Sequence, residues 1–101
     1  MHTAWVYILT NSHKTVLYIG MTNDIVTRIW EHQTKLHKRS FAATYNLSCL
    51  VYYEGFELVT QAISREKYLK GKKREWKNQL IQNFNKTWED LYDQVKHELN
   101  R

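Results

Sequence analysis

Apolar and polar positions alternate twice near the start of the chain and then change period. "AWVYIL" (residues 4–9) and "VLYIGM" (16–21) are β-branched and aromatic runs flanking the polar segment "TNSHKT", a pattern that predicts a β-hairpin. A symmetric loop centred between Ser12 and His13 sets Tyr7 opposite Tyr18, on one face of an antiparallel pair. After Gly20 the spacing becomes helical. "TNDIVTRIWEHQTKL" (22–36) offers Thr22, Asn23 and Asp24 as N-caps and strings Ile25, Ile29 and Leu36 along one stripe. Arg28 and His32 lie one turn apart beside that stripe. "LSCLVYYEG" (47–55) reads as a third strand, closed by Gly55. "VTQAISREKYLKG" (59–71) is helical again, with Val59, Ala62, Ile63 and Leu69 on one side and Gly71 as a C-cap. Glu66 follows Ala62 by four residues and precedes Leu69 by three, so this helix aims a carboxylate inward. A third helix is expected over 73–84 (Trp76, Leu80, Ile81 apolar) and a fourth over 87–99 (Trp88, Leu91, Tyr92, Val95, Leu99).

The order β-β-α-β-α-α-α describes an α/β (α+β) fold: a small three-stranded, mainly antiparallel sheet flanked by helices. A chain of 101 residues suits one modest core. Residues 1–84 are expected to form the main unit, and 85–101 a helical extension packed on it. No apolar run approaches the roughly 18 residues of a membrane span. The start "MHTAWVYIL" lacks the features of a secretory signal, and the lone Cys49 forms no internal disulfide. These features point to a reduced, cytoplasmic protein with no membrane partner.

Charge sharpens the picture once it is divided along the chain. Residues 1–78 hold 12 Lys/Arg against 6 Asp/Glu, whereas residues 79–101 hold 3 against 4. The excess concentrates in "REKYLKGKKREWK" (65–77), which mixes Lys67, Lys70, Lys72, Lys73, Arg74 and Lys77 with Tyr68 and Trp76. Such a mixture suits a polyanion, and nucleic acid first among them. A solvated helix face with i,i+4 charge pairs explains the same residues equally well.

Taken singly, the polar residues near apolar positions have ordinary structural explanations; their order along the chain is more specific. "WVY" (5–7), "YIG" (18–20), the helical Arg28 in "VTRIWEH", His32 one turn later and Glu66 in "AISREKYLKG" together resemble the GIY-YIG nuclease family. The likeness runs from about Trp5 to Phe84 and is nearest the small, single-domain bacterial branch, whose later "N-P-x-W-x-D-L" segment reads "NKTWEDL" here. Three positions depart from the pattern. Trp5 replaces the leading Gly, Met21 replaces a Lys that some repair-nuclease relatives carry, and Lys86 replaces the Pro. Asn78, Asn83 and Asn85 are all candidates for a site Asn that many members place after the Glu.

The resemblance implies a divalent-metal-dependent DNA endonuclease with Tyr7, Tyr18, Arg28, His32 and Glu66 as its catalytic set. One Mg²⁺ or Mn²⁺ would sit on Glu66 with waters and the phosphate. Arg28 suits the non-bridging oxygens, and Tyr7, Tyr18 and His32 compete for the role of base. Structure-selective or weakly specific cleavage, of use in repair or recombination, follows from the lack of a base-reading module. The alternatives are a non-catalytic nucleic-acid-binding module on the same fold, with RNA open as the ligand in either reading, and a protein-interaction domain using the last helix. A monomer or weak homodimer is expected.

Overall fold

The protein is described by a computed structural model covering residues 2–35 and 41–99. β1 (Ala4–Thr10) is the central strand of an antiparallel sheet ordered β2-β1-β3, with β2 (Leu17–Thr22) on one side and β3 (Cys49–Phe56) on the other. All seven residues of β1 are buried, because helices cover both faces of the sheet. Trp5, Tyr7 and Leu9 face α1 (Ile25–Gln33) through Ile25 and Ile29, and α5 (Tyr92–Leu99) and the residue before it through Val95 and Leu91. Ala4, Val6 and Ile8 face α3 (Val59–Lys70) and α4 (Arg74–Phe84) through Ala62, Leu69 and Ile81. The period-two alternation of β1 therefore serves two cores, and its near-continuous apolar run reflects burial on both faces.

The hairpin register differs from the symmetric expectation by two residues. Thr10 extends β1 and pairs with Leu17, so Tyr7 lies opposite Gly20 and Leu9 opposite Tyr18. The loop residues cause the shift. Asn11 Oδ1 accepts from the backbone N–H groups of Thr15 and Val16, Thr10 Oγ1 donates to the Val16 carbonyl, and Lys14 takes a left-handed φ of 58°. A two-residue slip preserves facing, so Tyr7 and Tyr18 remain on the same side as diagonal neighbours.

Asp24 caps α1 by accepting from the Thr27 N–H, and Leu36 lies outside the described residues. A one-turn helix, α2 (Phe41–Thr44), stands before β3 and was not expected from the pattern. In α3 the buried stripe is Ala62 and Leu69, with Glu66 between them half-covered. Val59 and Ile63, expected on that side, are 46% and 39% exposed: Val59 is the first residue of the helix, and Ile63 is turned about 100° from Ala62. Gly71 does cap α3, in ordinary right-handed geometry.

The last helix is shorter than its periodicity suggests. The segment before Tyr92 runs along the outer edge of β3: the Leu91 N–H donates to the Leu50 carbonyl, and Asp90 Oδ1 accepts from Leu50 N–H and Tyr92 N–H. Asn85 is buried and donates to the carbonyls of Val51 and Glu89. This covers part of a sheet edge that would otherwise expose its backbone. Among the described residues, no strand pairs with the outer edge of β2.

Candidate active site

Tyr7 is 1% exposed, and its ring lies across the strand pair over Gly20. A Cβ built on Gly20 would meet the Tyr7 hydroxyl and stand 2.5 Å from Cζ. Gly20 is therefore required by the tyrosine opposite it; its own φ is not positive. The phenol thus reaches past β2 toward α1, where a hydrogen bond joins the Tyr7 hydroxyl to His32 Nε2 at 3.0 Å. Tyr18 completes a cluster of three rings. Its centroid is 6.3 Å from that of Tyr7 and 5.9 Å from that of His32, with 5.8 Å between Tyr7 and His32.

Arg28 and Glu66 approach this cluster from different layers. Arg28, one turn before His32 on α1, is 48% exposed, with Nε 3.5 Å from Glu31 Oε1. Glu66 comes from α3, the helix packed on the other face of the sheet. Its carboxylate stands 3.5 Å from Lys70 Nζ. The environment of Tyr7 registers all of them. Burial raises the phenol pKa well above its ordinary value, the Tyr18 hydroxyl and the Glu66 and Glu31 carboxylates add to the rise, and the Arg28 guanidinium opposes it. Tyr7, Tyr18, Arg28, His32 and Glu66 thus share one electrostatic neighbourhood.

The basic block divides into two groups. Arg74 is committed to the hairpin loop: its guanidinium donates to the carbonyls of Lys14 and Thr15 (2.8 and 3.0 Å) and to Asn78 Oδ1. Lys72 lies over the rings of Tyr68 (4.4 Å) and Trp76 (5.3 Å), which holds the α3–α4 corner. Lys70 and Lys77, by contrast, line a cavity of about 370 Å³ along β2 together with Leu17, Tyr18 and Ile19. Lys67 and Lys73 are exposed. Of the three asparagines, Asn85 is used by the backbone, Asn83 accepts from Gln79, and Asn78 accepts from Arg74. Glu31 and the Glu66–Lys70 pair were not singled out in the sequence, although their i+3 and i+4 spacings carry the signal.

Among the described residues, no group of three or more His, Cys, Asp or Glu side chains is arranged to hold a metal ion. A cation here would rest on Glu66, completed by water and substrate oxygens. A half-covered carboxylate fits Mg²⁺, which keeps most of its water and takes one or two carboxylates.

Residues 3–80 match the GIY-YIG catalytic domain. The chain belongs to the GIY-YIG family. This is a family of nuclease-type catalytic domains, which implies nucleic-acid binding. The chain is also similar to the UPF0213 protein CPE1444 of Clostridium perfringens (strain 13 / Type A), with 40% identity over 81 residues, 76% of this chain and 81% of that protein. No solved structure matches it significantly. The GIY-YIG signature tyrosines are the two rings facing His32, and the glycine of the second triplet is the one lying beneath Tyr7. No helix among the described residues is long and apolar enough to cross a membrane.

Proposed function

We propose that this GIY-YIG chain is a divalent-metal-dependent endonuclease that hydrolyses DNA phosphodiester bonds. The observation that carries the reading is the hydrogen bond between Tyr7 and His32 within the ring cluster that Tyr18 completes, with the charges of Arg28 and Glu66 near enough to act on the Tyr7 phenol. Glu66 would hold a Mg²⁺ ion, which would supply charge neutralisation for phosphodiester hydrolysis. Arg28, forked and permanently cationic, clasps the non-bridging oxygens as negative charge builds there. Tyr18, the more exposed phenol, orients the attacking water. The water oxygen forms the new bond to phosphorus as the P–O3′ bond breaks, and the departing oxygen takes its proton from solvent.

Burial holds Tyr7 as a neutral phenol, which argues against a resting phenolate base. Its hydrogen bond to His32 supplies the alternative. The water proton passes to the Tyr7 oxygen as the phenol proton moves to Nε2, because an imidazole accepts protons near neutral pH. A cytoplasmic location suits the free, half-buried thiol of Cys49. Structure-selective or weakly specific cutting, of the kind repair and recombination require, suits a chain whose free cations would contact phosphates rather than bases.

The test is incubation with Mg²⁺ or Mn²⁺ and linear, nicked, flapped, branched and single-stranded DNAs, beside Glu66→Gln. Metal-dependent cuts that disappear in the variant are expected; full activity in Glu66→Gln overturns the metal assignment. One observation favours a second reading. Arg28 and Glu66 already have partners in Glu31 and Lys70, as in a binding module whose chemistry is retired. Salt-sensitive binding without cleavage in either metal would establish that reading.

A further inference from the structure

Lys70 occupies an unusual position, touching both the candidate metal ligand and the cavity beside it. Its ammonium stands 3.5 Å from Glu66 Oε2, well beyond the roughly 2.7–2.9 Å of a tight charge-assisted hydrogen bond. The Lys70 side chain is 55% exposed and that of Glu66 22%, so the carboxylate is the more covered partner and the cation extends into solvent on its flexible stem. The same side chain lines the cavity of about 370 Å³ that runs from Tyr18 to Lys77 along β2. The ammonium of Lys77 has no ion-pair or hydrogen-bond partner among the described residues. Arg74 and Lys72, nearby in sequence, are already engaged.

We infer that Lys70 is an exchangeable counter-ion: it pairs with Glu66 until a divalent cation takes that carboxylate, and it then joins Lys77 in binding a backbone phosphate in the cavity along β2. This rests on the metal-dependent cleavage proposed above and adds a phosphate subsite beside the reacting bond. Tyr18 links the two places, since its ring lies in the cluster with Tyr7 and His32 and also lines the cavity. The exchange needs no rearrangement of backbone. A divalent ion in place of the ammonium leaves Glu66 and its cation at +1 instead of 0, and the displaced Lys70 adds a second positive charge, which together favour an arriving phosphate. Metal and DNA binding are thereby coupled, because each removes an obstacle to the other.

The experiment compares native protein, Lys70→Gln, Lys70→Arg and Lys77→Gln. Titration calorimetry with Mn²⁺ and no DNA should show Lys70→Gln binding the ion about fivefold tighter, the effect of removing one competing positive charge at close range in water. Lys70→Arg and Lys77→Gln should remain near native. Binding of a labelled flapped duplex is then measured over a salt series, in EDTA and in Ca²⁺. In EDTA only Lys77→Gln should weaken binding; in Ca²⁺ both Gln variants should, each lowering the slope of log affinity against log salt by about one. Unchanged Mn²⁺ affinity in Lys70→Gln, or the same effect of that variant with and without Ca²⁺, makes the pair an ordinary helix-surface contact and overturns the exchange. If native protein cuts DNA in Mn²⁺ while either of those results holds, the exchange alone fails. Native protein that neither takes up Mn²⁺ nor cuts DNA brings down the nuclease reading and the exchange together.

Discussion

β1 lays an aromatic ring over a cross-strand glycine twice, once on each side. Tyr7 covers Gly20 of β2, and Trp5 covers Gly55 of β3, where an added Cβ would come within 2.8 Å of the Trp5 ring and 2.6 Å of His2. Both rings belong to the same face and the same core. They differ in what the helices bring to them. Around Tyr7 stand His32, Arg28 and Glu66. Beside Trp5 is Tyr53, whose hydroxyl accepts from Gln94 and donates to Glu98. The packing device is therefore common to both ends, and the chemistry comes from the neighbouring side chains. In this chain Trp5 also stands where the GIY-YIG signature has its first glycine.

The largest separation between the two ends should come from trimming each ring. Tyr7→Phe keeps the packing and removes the link to His32, so cleavage should fall about 10²-fold or more while the melting temperature moves little. Trp5→Phe should do the reverse, lowering the melting temperature and leaving the rate per folded molecule near native. Equal losses of rate would erase the distinction.

Filling the glycines should give smaller effects of the same kind. Gly20→Ala drives a methyl into a ring that is buried on every side, at a cost of about 1–3 kcal/mol, and displaces the phenol from His32. Gly55→Ala meets the exposed His2 and, at 2.8 Å, the edge of the Trp5 ring, so it should also cost about 1–3 kcal/mol, without disturbing the link between Tyr7 and His32. Denaturant unfolding of both variants measures the costs, and their cleavage rates the difference.

The smallest effect is expected at high pH. Burial raises the Tyr7 phenol, and it raises Tyr53 and, to about 12, Tyr52. A raised phenol contributes stability that is complete below the unfolded value near pH 10 and is lost as pH climbs through the folded value. Tyr7→Phe removes one such group and should flatten the alkaline limb of the stability curve; Tyr53→Phe should flatten it less. Tyrosinate absorbance followed together with unfolding checks both.

The sequence made some of this arrangement legible and concealed the rest for identifiable reasons. That Tyr7 and Tyr18 share a face follows from strand periodicity alone and survives any even slip. Their register depended on Asn11 and Thr10 building the loop from side-chain hydrogen bonds, which a symmetric reading ignores. The inward carboxylate of Glu66 was visible because Ala62 and Leu69 frame it, whereas Ile63 was misplaced because its apolar identity outweighed its angle on the helix, and Val59 because it begins the helix. The early start expected for α5 failed at Trp88, with its φ of 57°. The preceding residues serve the β3 edge through Asn85 and Asp90, a tertiary demand that no local pattern encodes. Likewise, Arg74 looked like a phosphate ligand until its carbonyl partners were known.

The burial of Tyr7 and Gly20 also affects how related chains are best compared. These two residues fill the centre of a core, so a descendant that abandons catalysis still needs them to fold. Arg28, half exposed on α1, carries no comparable packing duty. The signature that names the family is thus a poor witness to activity. A survey seeking working members should weigh the peripheral arginine and carboxylate above the tyrosine and glycine at the centre.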